Sequence, residues 1–257
     1  MKYLCDHRSK VSNRLGTKQK IILLLDFDGT LSSISKSPGA VFLSTENKKI
    51  LSQLIRSDRF RVAIVSGRSL ADLERRCHLS GAIYVGNHGL EFSRRMVHLP
   101  ASVRKAHHLV RFMRVLAEKL KITFGYWHGV WVENKRLTIS LHLRNLSRDR
   151  VGLFNELLSF FKFKYRRYPV VWRKGKKVWE IRPAVAWDKG KAALYLLKDF
   201  PLHYPVVIGD DRTDEDMFRV FRRKGLTIRV GRLKGSAAQF YLKSVKEVTF
   251  FLETLCR

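Results

Sequence analysis

Three things are scarce in this chain: long apolar runs, cysteine and acidic residues. No apolar run approaches the roughly 18 residues that a membrane span requires, so no membrane partner is expected. The first twenty residues, "MKYLCDHRSKVSNRLGTKQK", are basic and polar, with no apolar stretch ahead of a cleavage site. They do not read as a secretory signal. The three cysteines, Cys5, Cys77 and Cys256, are odd in number, and no two have metal-ligand spacing. A reduced, cytoplasmic protein is the expectation. The 22 Asp and Glu face 51 Lys and Arg, a net charge of +29. Such a field attracts polyanions. The basic residues are nevertheless spread along the whole chain rather than collected in a stripe. The densest stretch, "FKFKYRRYPVVWRKGKKVW" at 161–179, alternates with aromatics in two strand-like pieces. It reads as a solvated hairpin, or as a field that steers a small anion, and nucleic acid is not an expected partner.

What is present is enough for one large domain or two modest ones: 257 residues, 45% of them hydrophobic. After a basic tail at 1–20, apolar strands at 21–25, 61–65 and 82–86 alternate with helical patterns at 44–57 and 70–77. This βαβαβ rhythm predicts a Rossmann-like parallel sheet with helices on its faces, an α/β fold. It breaks near Pro100. A long helix from 103 to 120, strands at 129–134 and 136–143, a helix at 149–161 and strands at 167–172 and 177–182 follow. That αββαββ order predicts a small α+β unit at 101–185, inserted into a core made of 21–100 and 186–257. The α/β rhythm then resumes with helices at 189–198, 213–221 and 245–255 and strands at 205–209 and 227–231.

Four core strands run into polar chemistry. "LLLDFDGTLSSI" drives a buried strand into Asp26 and Asp28, followed by Gly29 and Thr30. Two desolvated like charges repel, so something cationic should offset them. Strand 61–65 ends in Ser66, Gly67 and Arg68; strand 82–86 in Asn87, His88 and Gly89; strand 205–209 in "DDRTDED". All carboxyl ends of a parallel sheet lie on one edge, where ligands bind. Asp26, Asp28, Asp210, Asp211 and Asp214 make an oxygen-only donor set that suits Mg²⁺. One carboxylate could act as nucleophile, and a second, two residues on, could deliver a proton to a leaving group. One of the aspartates after Gly209 is also expected to cap the following helix. Ser66 with Gly67, and Thr30, could cradle a phosphate. Lys189 sits in a helix's first turn, where the dipole opposes it, unless an anion in the site repays it; alternatively Asp188 caps the helix and Lys189 faces water.

"DFDGT", a serine after the second strand, a lysine and "GDDRTDEDMF" resemble the four motifs of the haloacid dehalogenase superfamily of phosphatases. "VAIVSGRSLADL", "YVGNHGLEF", "VWVENKRLTISLHLR" and "KKVWEIRP" bring the resemblance closer, to the trehalose-6-phosphate phosphatase family, over nearly all of 21–257. The resemblance implies an enzyme with an inserted cap, in which Asp26 is the nucleophile that becomes an aspartyl-phosphate and Asp28 is general acid, then base. Asp26, the backbone carbonyl of Asp28, and Asp210 would hold Mg²⁺, supported by Asp211 and Asp214. Ser66 and Lys189 would bind the phosphoryl group. Arg68, His88, Gly89 and Glu91 would meet substrate from the core, and Glu133, Lys135 and Glu180 would grip sugar hydroxyls from the cap. The substrate implied is a small sugar phosphate, with a trehalose-6-phosphate synthase partner left open. Two other readings stay open: the same chemistry on a glucosyl- or mannosyl-glycerate phosphate or on sucrose phosphate, and a polyanion-binding module on this fold.

Overall fold

A computed structural model describes residues 1–34, 41–93, 99–175 and 177–256. Along the chain, β1 (Lys2–Tyr3), α1 (Arg8–Gly16), β2 (Ile21–Leu25), α2 (Thr45–Arg56), β3 (Phe60–Val65), α3 (Leu70–Cys77), β4 (Ile83–Gly86) and β5 (Glu91–Phe92) come first. The middle of the chain forms α4 (Ala101–His108), α5 (Val110–Phe124), β6 (Trp131–Asn134), β7 (Ile139–His142), α6 (Val151–Lys164), β8 (Val170–Gly175) and β9 (Val178–Pro183). The last part is α7 (Lys189–Leu197), β10 (Tyr204–Gly209), α8 (Glu215–Phe221), β11 (Leu226–Val230), β12 (Phe240–Leu242) and α9 (Val245–Thr254). The chain divides into two compact units, Met1–Met96 with Trp187–Arg257, and Val97–Ala186.

The first unit is built on a sheet of eight strands among the described residues, in the order β1-β12-β11-β10-β2-β3-β4-β5. Every pairing is parallel except β4 with β5. All five residues of β2 are buried, as a strand covered by helices on both faces requires. Leu23 and Leu25 face one apolar layer with Leu51, Leu54, Val248 and Leu252. Ile22 and Leu24 face the other, with Ala192, Leu196 and Phe218. From β2 the chain winds outward through β3 and β4, then returns on the opposite side through β10 and β11. The strand order therefore reverses between β2 and β10, the crevice where open α/β sheets bind ligands.

Two expectations need correction. Residues 2–16 are folded rather than a loose tail: β1 pairs with β12, and Arg14 donates to the carbonyl of Gly225 at 2.9 Å. The reason is an apolar stripe within the basic segment, Leu4, Val11 and Leu15, all buried, spaced seven and four apart on one side of a helical path. The long helix expected from 103 to 120 is two helices, α4 and α5, separated at Leu109.

The second unit has a four-stranded antiparallel sheet, β6-β7-β9-β8, and its own core. Phe124 of α5, Phe154, Leu158 and Phe161 of α6, and Ile139, Leu141 and Ile181 of the sheet are buried together. Ring centroids of Phe124 and Phe154 lie 5.0 Å apart. Replacing Phe124, fully buried, with Ala should cost about 3–5 kcal/mol through lost contacts and a residual cavity. Because that core is separate, hydrogen exchange should show the loss of protection within 99–186; an equal loss in β2 and β10 would refute the independence of the two cores.

Candidate active site

The turn after β2 is set by close approach. Gly29 has φ +87°, and a Cβ there would lie 2.2 Å from Oδ2 of Asp210. Only glycine allows the two loops after β2 and β10 to meet so closely. Asp26 donates its backbone N–H to the carbonyl of Ile208 (2.9 Å), and the Thr30 hydroxyl donates to Oδ1 of Asp210 at 3.4 Å. Gly209 has the same role on the other strand, since a Cβ there would meet Cγ of Asp214 at 2.5 Å.

Lys189 projects into this junction. Its side chain is buried, and Nζ donates to Oδ1 of Asp26 (2.7 Å) and Oδ1 of Asp214 (2.8 Å). Both alternatives raised by the sequence are answered together: Asp188 caps α7, accepting from the Lys191 N–H at 2.8 Å, and Lys189 faces the carboxylates rather than water. Burial alone would push the Lys189 ammonium down; Asp214 and Asp26 outweigh it and hold its pKa well above the usual range. Asp26 is raised, first by burial and then by Asp214, more than Lys189 lowers it. Asp210 is pushed up to about 7 by burial and by its neighbours Asp214 and Asp211.

Asp214 occupies the N-cap position of α8, but its side chain makes no capping hydrogen bond, unlike the cap the sequence predicts for one aspartate here. Its Oδ2 turns back and accepts the N–H groups of Asp210 (3.0 Å) and Asp211 (2.9 Å), which fixes the loop that presents Asp210. Asp211 itself is exposed. The same loop is held from behind by Arg229 of β11, which donates to the backbone carbonyls of Asp211 (3.1 Å) and Asp210 and pairs with Glu215 at 3.0 Å.

The donor set fits a divalent cation. Asp26, Asp210 and Asp214 each place an oxygen within 4.8 Å of the others, and Oδ2 of Asp26 is buried with no hydrogen-bond donor among the described residues. One ammonium cannot neutralise three carboxylates, and oxygen-only ligands suit Mg²⁺.

Asp28 points elsewhere. Both of its oxygens accept from Arg68, from Nε and Nη2, at 2.6 Å each, a fork-on-carboxylate pair. Arg68 is held in turn by Asp72 of α3 (2.8 Å), which also accepts from Arg75 (2.6 Å) and Arg76 (2.7 Å). Burial would raise the Asp72 pKa; its three arginines win and hold it far below the usual carboxylate range. Ser66 is buried and its Oγ accepts from the Arg68 N–H (3.2 Å), while its carbonyl accepts from the His88 N–H (3.0 Å). The loop after β4 is strained: Asn87, His88 and Gly89 all have positive φ, at 48°, 57° and 98°. A Cβ on Gly89 would meet Cβ of Ala192 at 2.5 Å, and the Gly89 carbonyl accepts from the Trp187 indole at 2.7 Å, so this loop is seated on α7. Glu91 is buried, with Oε2 accepting from Asn87 Nδ2 (2.7 Å) and the Leu70 N–H (2.9 Å).

In the second unit, Glu133, Ser140, Glu180 and Arg173 occupy one row across all four strands. Lys135 lies 3.9 Å from Oε2 of Glu133 and 3.6 Å from Oε1 of Glu180. His142 meets Glu133 at 3.0 Å, and Arg182 pairs with Glu180. The three residues expected to grip sugar are thus neighbours on one face. Sequence reasoning missed His142, Asn87, Asp72, Glu215, Arg229 and Trp187 as parts of these networks. Only Asp72 left a local signal, its spacing of four from Arg68 and Arg76.

Residues 24–246 match the family model for trehalose-phosphatase. A trehalose-phosphate phosphatase of Mycobacterium bovis is 34% identical over 251 residues, covering 91% of this chain and 61% of the relative; the chain thus spans less than two thirds of that protein. Among solved structures, a "trehalose-6-phosphate phosphatase related protein" superposes with a TM-score of 0.78 at 23% identity, covering 91% of this chain and 96% of the other. A haloacid dehalogenase-like hydrolase from Bacteroides thetaiotaomicron gives 0.61 at 16% identity, covering 92% and 99%. These likenesses support the α/β fold expected from the alternation of strands and helices.

The arginine network around Asp72 makes a stability prediction. Replacing Asp72 with Ala at pH 7 should lower unfolding free energy by about 3 kcal/mol, because Arg76 and Arg68 stay charged and largely out of water. A carboxyl whose folded pKa is depressed contributes fully above its unfolded value of about 3.9, and that contribution drains away as pH falls toward the folded value. Urea unfolding of parent and variant should therefore differ most at neutral pH, and the gap should begin to narrow only as pH falls below about 4. A gap that stayed constant would show that the ionised Asp72 is not its source.

Proposed function

The chain belongs to the trehalose-phosphatase family, and from that premise we propose that it hydrolyses trehalose 6-phosphate to trehalose and phosphate through an aspartyl-phosphate on Asp26. The observation that carries the proposal is the buried Asp26–Lys189–Asp214 triad at the reversal of the strand order, with Asp210 beside it. Asp26 presents an oxygen without a hydrogen-bond donor among the described residues, and Lys189 lies 2.7 Å from its other oxygen. In this reading Asp26 attacks phosphorus, the bond from phosphorus to the sugar oxygen breaks, and Asp28 supplies the proton that the leaving oxygen takes up. Water then attacks the aspartyl-phosphate, Asp28 accepts its proton, and phosphate leaves with Asp26 restored. Lys189 and Ser66 hold the transferring phosphoryl oxygens. Arg68 orients Asp28 between turnovers, and an incoming phosphate dianion competes with Asp28 for the guanidinium, which frees the carboxyl to carry a proton. His88 and Gly89 border the phosphate side of the substrate, and Glu91 keeps their strained loop in place. Asp26, the Asp28 carbonyl and Asp210 would hold Mg²⁺, with Asp214 and Asp211 behind them; when bound it neutralises charge on the phosphoryl oxygens.

Release of phosphate from trehalose 6-phosphate, run beside sucrose phosphate and the glycerate-linked sugar phosphates, tests the substrate. Asp26→Asn should lower kcat at least about 1,000-fold, roughly 4 kcal/mol, because an amide is no nucleophile, while its melting temperature holds or rises as carboxylate repulsion is relieved. A variant retaining a tenth of the parent rate would exclude the covalent route.

For the second unit, we propose that Glu133, Lys135 and Glu180 bind sugar hydroxyls, for which carboxylates are good acceptors. Glu133→Ala or Glu180→Ala should lower kcat/KM for trehalose 6-phosphate about 10- to 100-fold, the loss of one charged hydrogen bond. Hydrolysis of p-nitrophenyl phosphate, which has no hydroxyls to read, should change less than about twofold. Equal losses on both substrates would remove these residues from sugar recognition.

A further inference from the structure

The second unit carries twenty Lys and Arg against five Asp and Glu within residues 97–186. Its charge is most concentrated between Glu156 and Glu180, where eight basic residues occur and no acidic one. This is the stretch that the sequence reads as a solvated hairpin, and its surroundings are not those of one. Helix α6 buries Phe154, Leu158 and Phe161 against the sheet. Its opposite side carries a second apolar stripe, Leu153, Phe160 and Phe163, spaced seven and three apart. Phe160 is 57% and Phe163 64% exposed. A single exposed phenylalanine is unremarkable, but a repeated stripe on a charged helix marks a contact face.

Cations border that stripe at its C-terminal end, and the exposed Glu156, seven residues before Phe163, is an acidic residue on the same side. Lys164 lies over the Phe160 ring at 5.6 Å and Arg166 over Phe163 at 3.9 Å. On the flank of α6, Lys162 sits 3.7 Å from the ring of Trp179 in β9, and Lys174 of the edge strand β8 lies 6.0 Å from the same ring. Among the described residues no carboxylate pairs with Lys162, Lys164, Arg166 or Lys174. Burial and the charge of Lys174 push Lys162 below its usual range, so the two lysines are held together against their own repulsion.

An occupant of this face has to be anionic, to answer the unpaired cations, and has to offer an apolar phase, to take Leu153, Phe160 and Phe163. A second copy of the unit would bring like charge. A nucleic acid supplies phosphates and stacking bases, but Arg166 and Lys164 already lie over the two phenyl rings, and an aliphatic leucine has nothing to stack on. An anionic lipid surface meets both demands: headgroup phosphates for Lys and Arg, and the headgroup–acyl boundary for the apolar stripe. We propose that the outer face of α6, with the basic residues of α6 and β8, docks the protein peripherally on an anionic bilayer. No described helix is long and apolar enough to cross a membrane, so this is a surface contact without a span.

The test needs no catalytic readout and stands apart from the assignment of substrate. The full chain is sedimented with vesicles of phosphatidylcholine alone, and with a one-to-two mixture of phosphatidylglycerol and phosphatidylcholine. It should bind the mixed vesicles, leave the neutral ones, and release as salt rises. The double variant Phe160→Ser, Phe163→Ser changes only exposed side chains and should keep the parent circular dichroism and melting temperature, while its partition onto mixed vesicles falls at least about tenfold. Lys162→Glu with Lys164→Glu should fall further. A fluorescent single-stranded oligonucleotide serves as a competitor. Equal binding to both vesicle types, mixed-vesicle binding unchanged by the double Ser variant, or oligonucleotide binding without any vesicle binding would each overturn the proposal, the last two in favour of a polyanion held by charge alone.

Discussion

Lys189 is buried as deeply as the leucines of the central sheet, and that position is tenable only because Asp26 and Asp214 each accept from it at under 3 Å. Remove both carboxylates and an ammonium is left in a dry crevice; remove the lysine and carboxylates crowd one another without a counter-charge. This cost explains much of the surrounding construction. The Lys189 backbone opens α7 behind a separate cap from Asp188, so the lysine is released from capping duties. Asp214 spends one oxygen on Lys189 and the other on two backbone N–H groups of the loop that carries Asp210. A single ion triad therefore ties together β2, β10 and α7, and gives Asp210 its place.

Around the triad, precision comes from surfaces that admit no side chain. Gly29 and Gly209 let the loops after β2 and β10 pass within contact of Asp210 and Asp214. The second carboxylate of the DxD pair is governed by a different set of charges, the chain Asp28–Arg68–Asp72–Arg76. Asp26 and Asp28 are two residues apart, yet one is embedded in a lysine-centred triad and the other is forked by an arginine at the mouth of α3. Distinct roles for two adjacent carboxyl groups follow from such divergent environments.

The outline of this arrangement was legible because long buried strands announce themselves. β2, β3, β4, β10 and β11 are apolar runs, each ending in polar loops, and parallel pairing then forces those endings to one edge. β1, β5 and β12 were not legible: two or three residues show no periodicity. Asp26, Asp210 and Asp214 could be grouped because parallel pairing brings their strand ends to one edge, with Lys189 left between the site and water, but the direction of Asp214, back into its own loop instead of onto α8, depends on Gly209 and Arg229, which no local pattern joins. Arg229 and Glu215 are fourteen residues apart on different elements, and their pairing is a property of the sheet order. The folded N-terminal segment was hidden for a compositional reason, since its three core residues are diluted by lysine and arginine.

The excess of positive charge has no single explanation across the chain, because the two units use arginine and lysine differently. In the first unit the cations at the sheet's ligand edge have carboxylate partners: Lys189 two aspartates, Arg68 and Arg76 Asp72, Arg229 Glu215. In the second unit Glu133 and Glu180 are engaged by Lys135, His142 and Arg182, and among the described residues no carboxylate pairs with Lys162, Lys164, Arg166 or Lys174. A field for steering a small anion would account for unpaired lysines, since steering acts at a distance and needs no contact. It would not account for phenylalanines at 160 and 163 lifted into water among those lysines, at a hydration cost that steering does nothing to recover. The apolar stripe, rather than the net charge, is the feature that separates a contact surface from a guiding field.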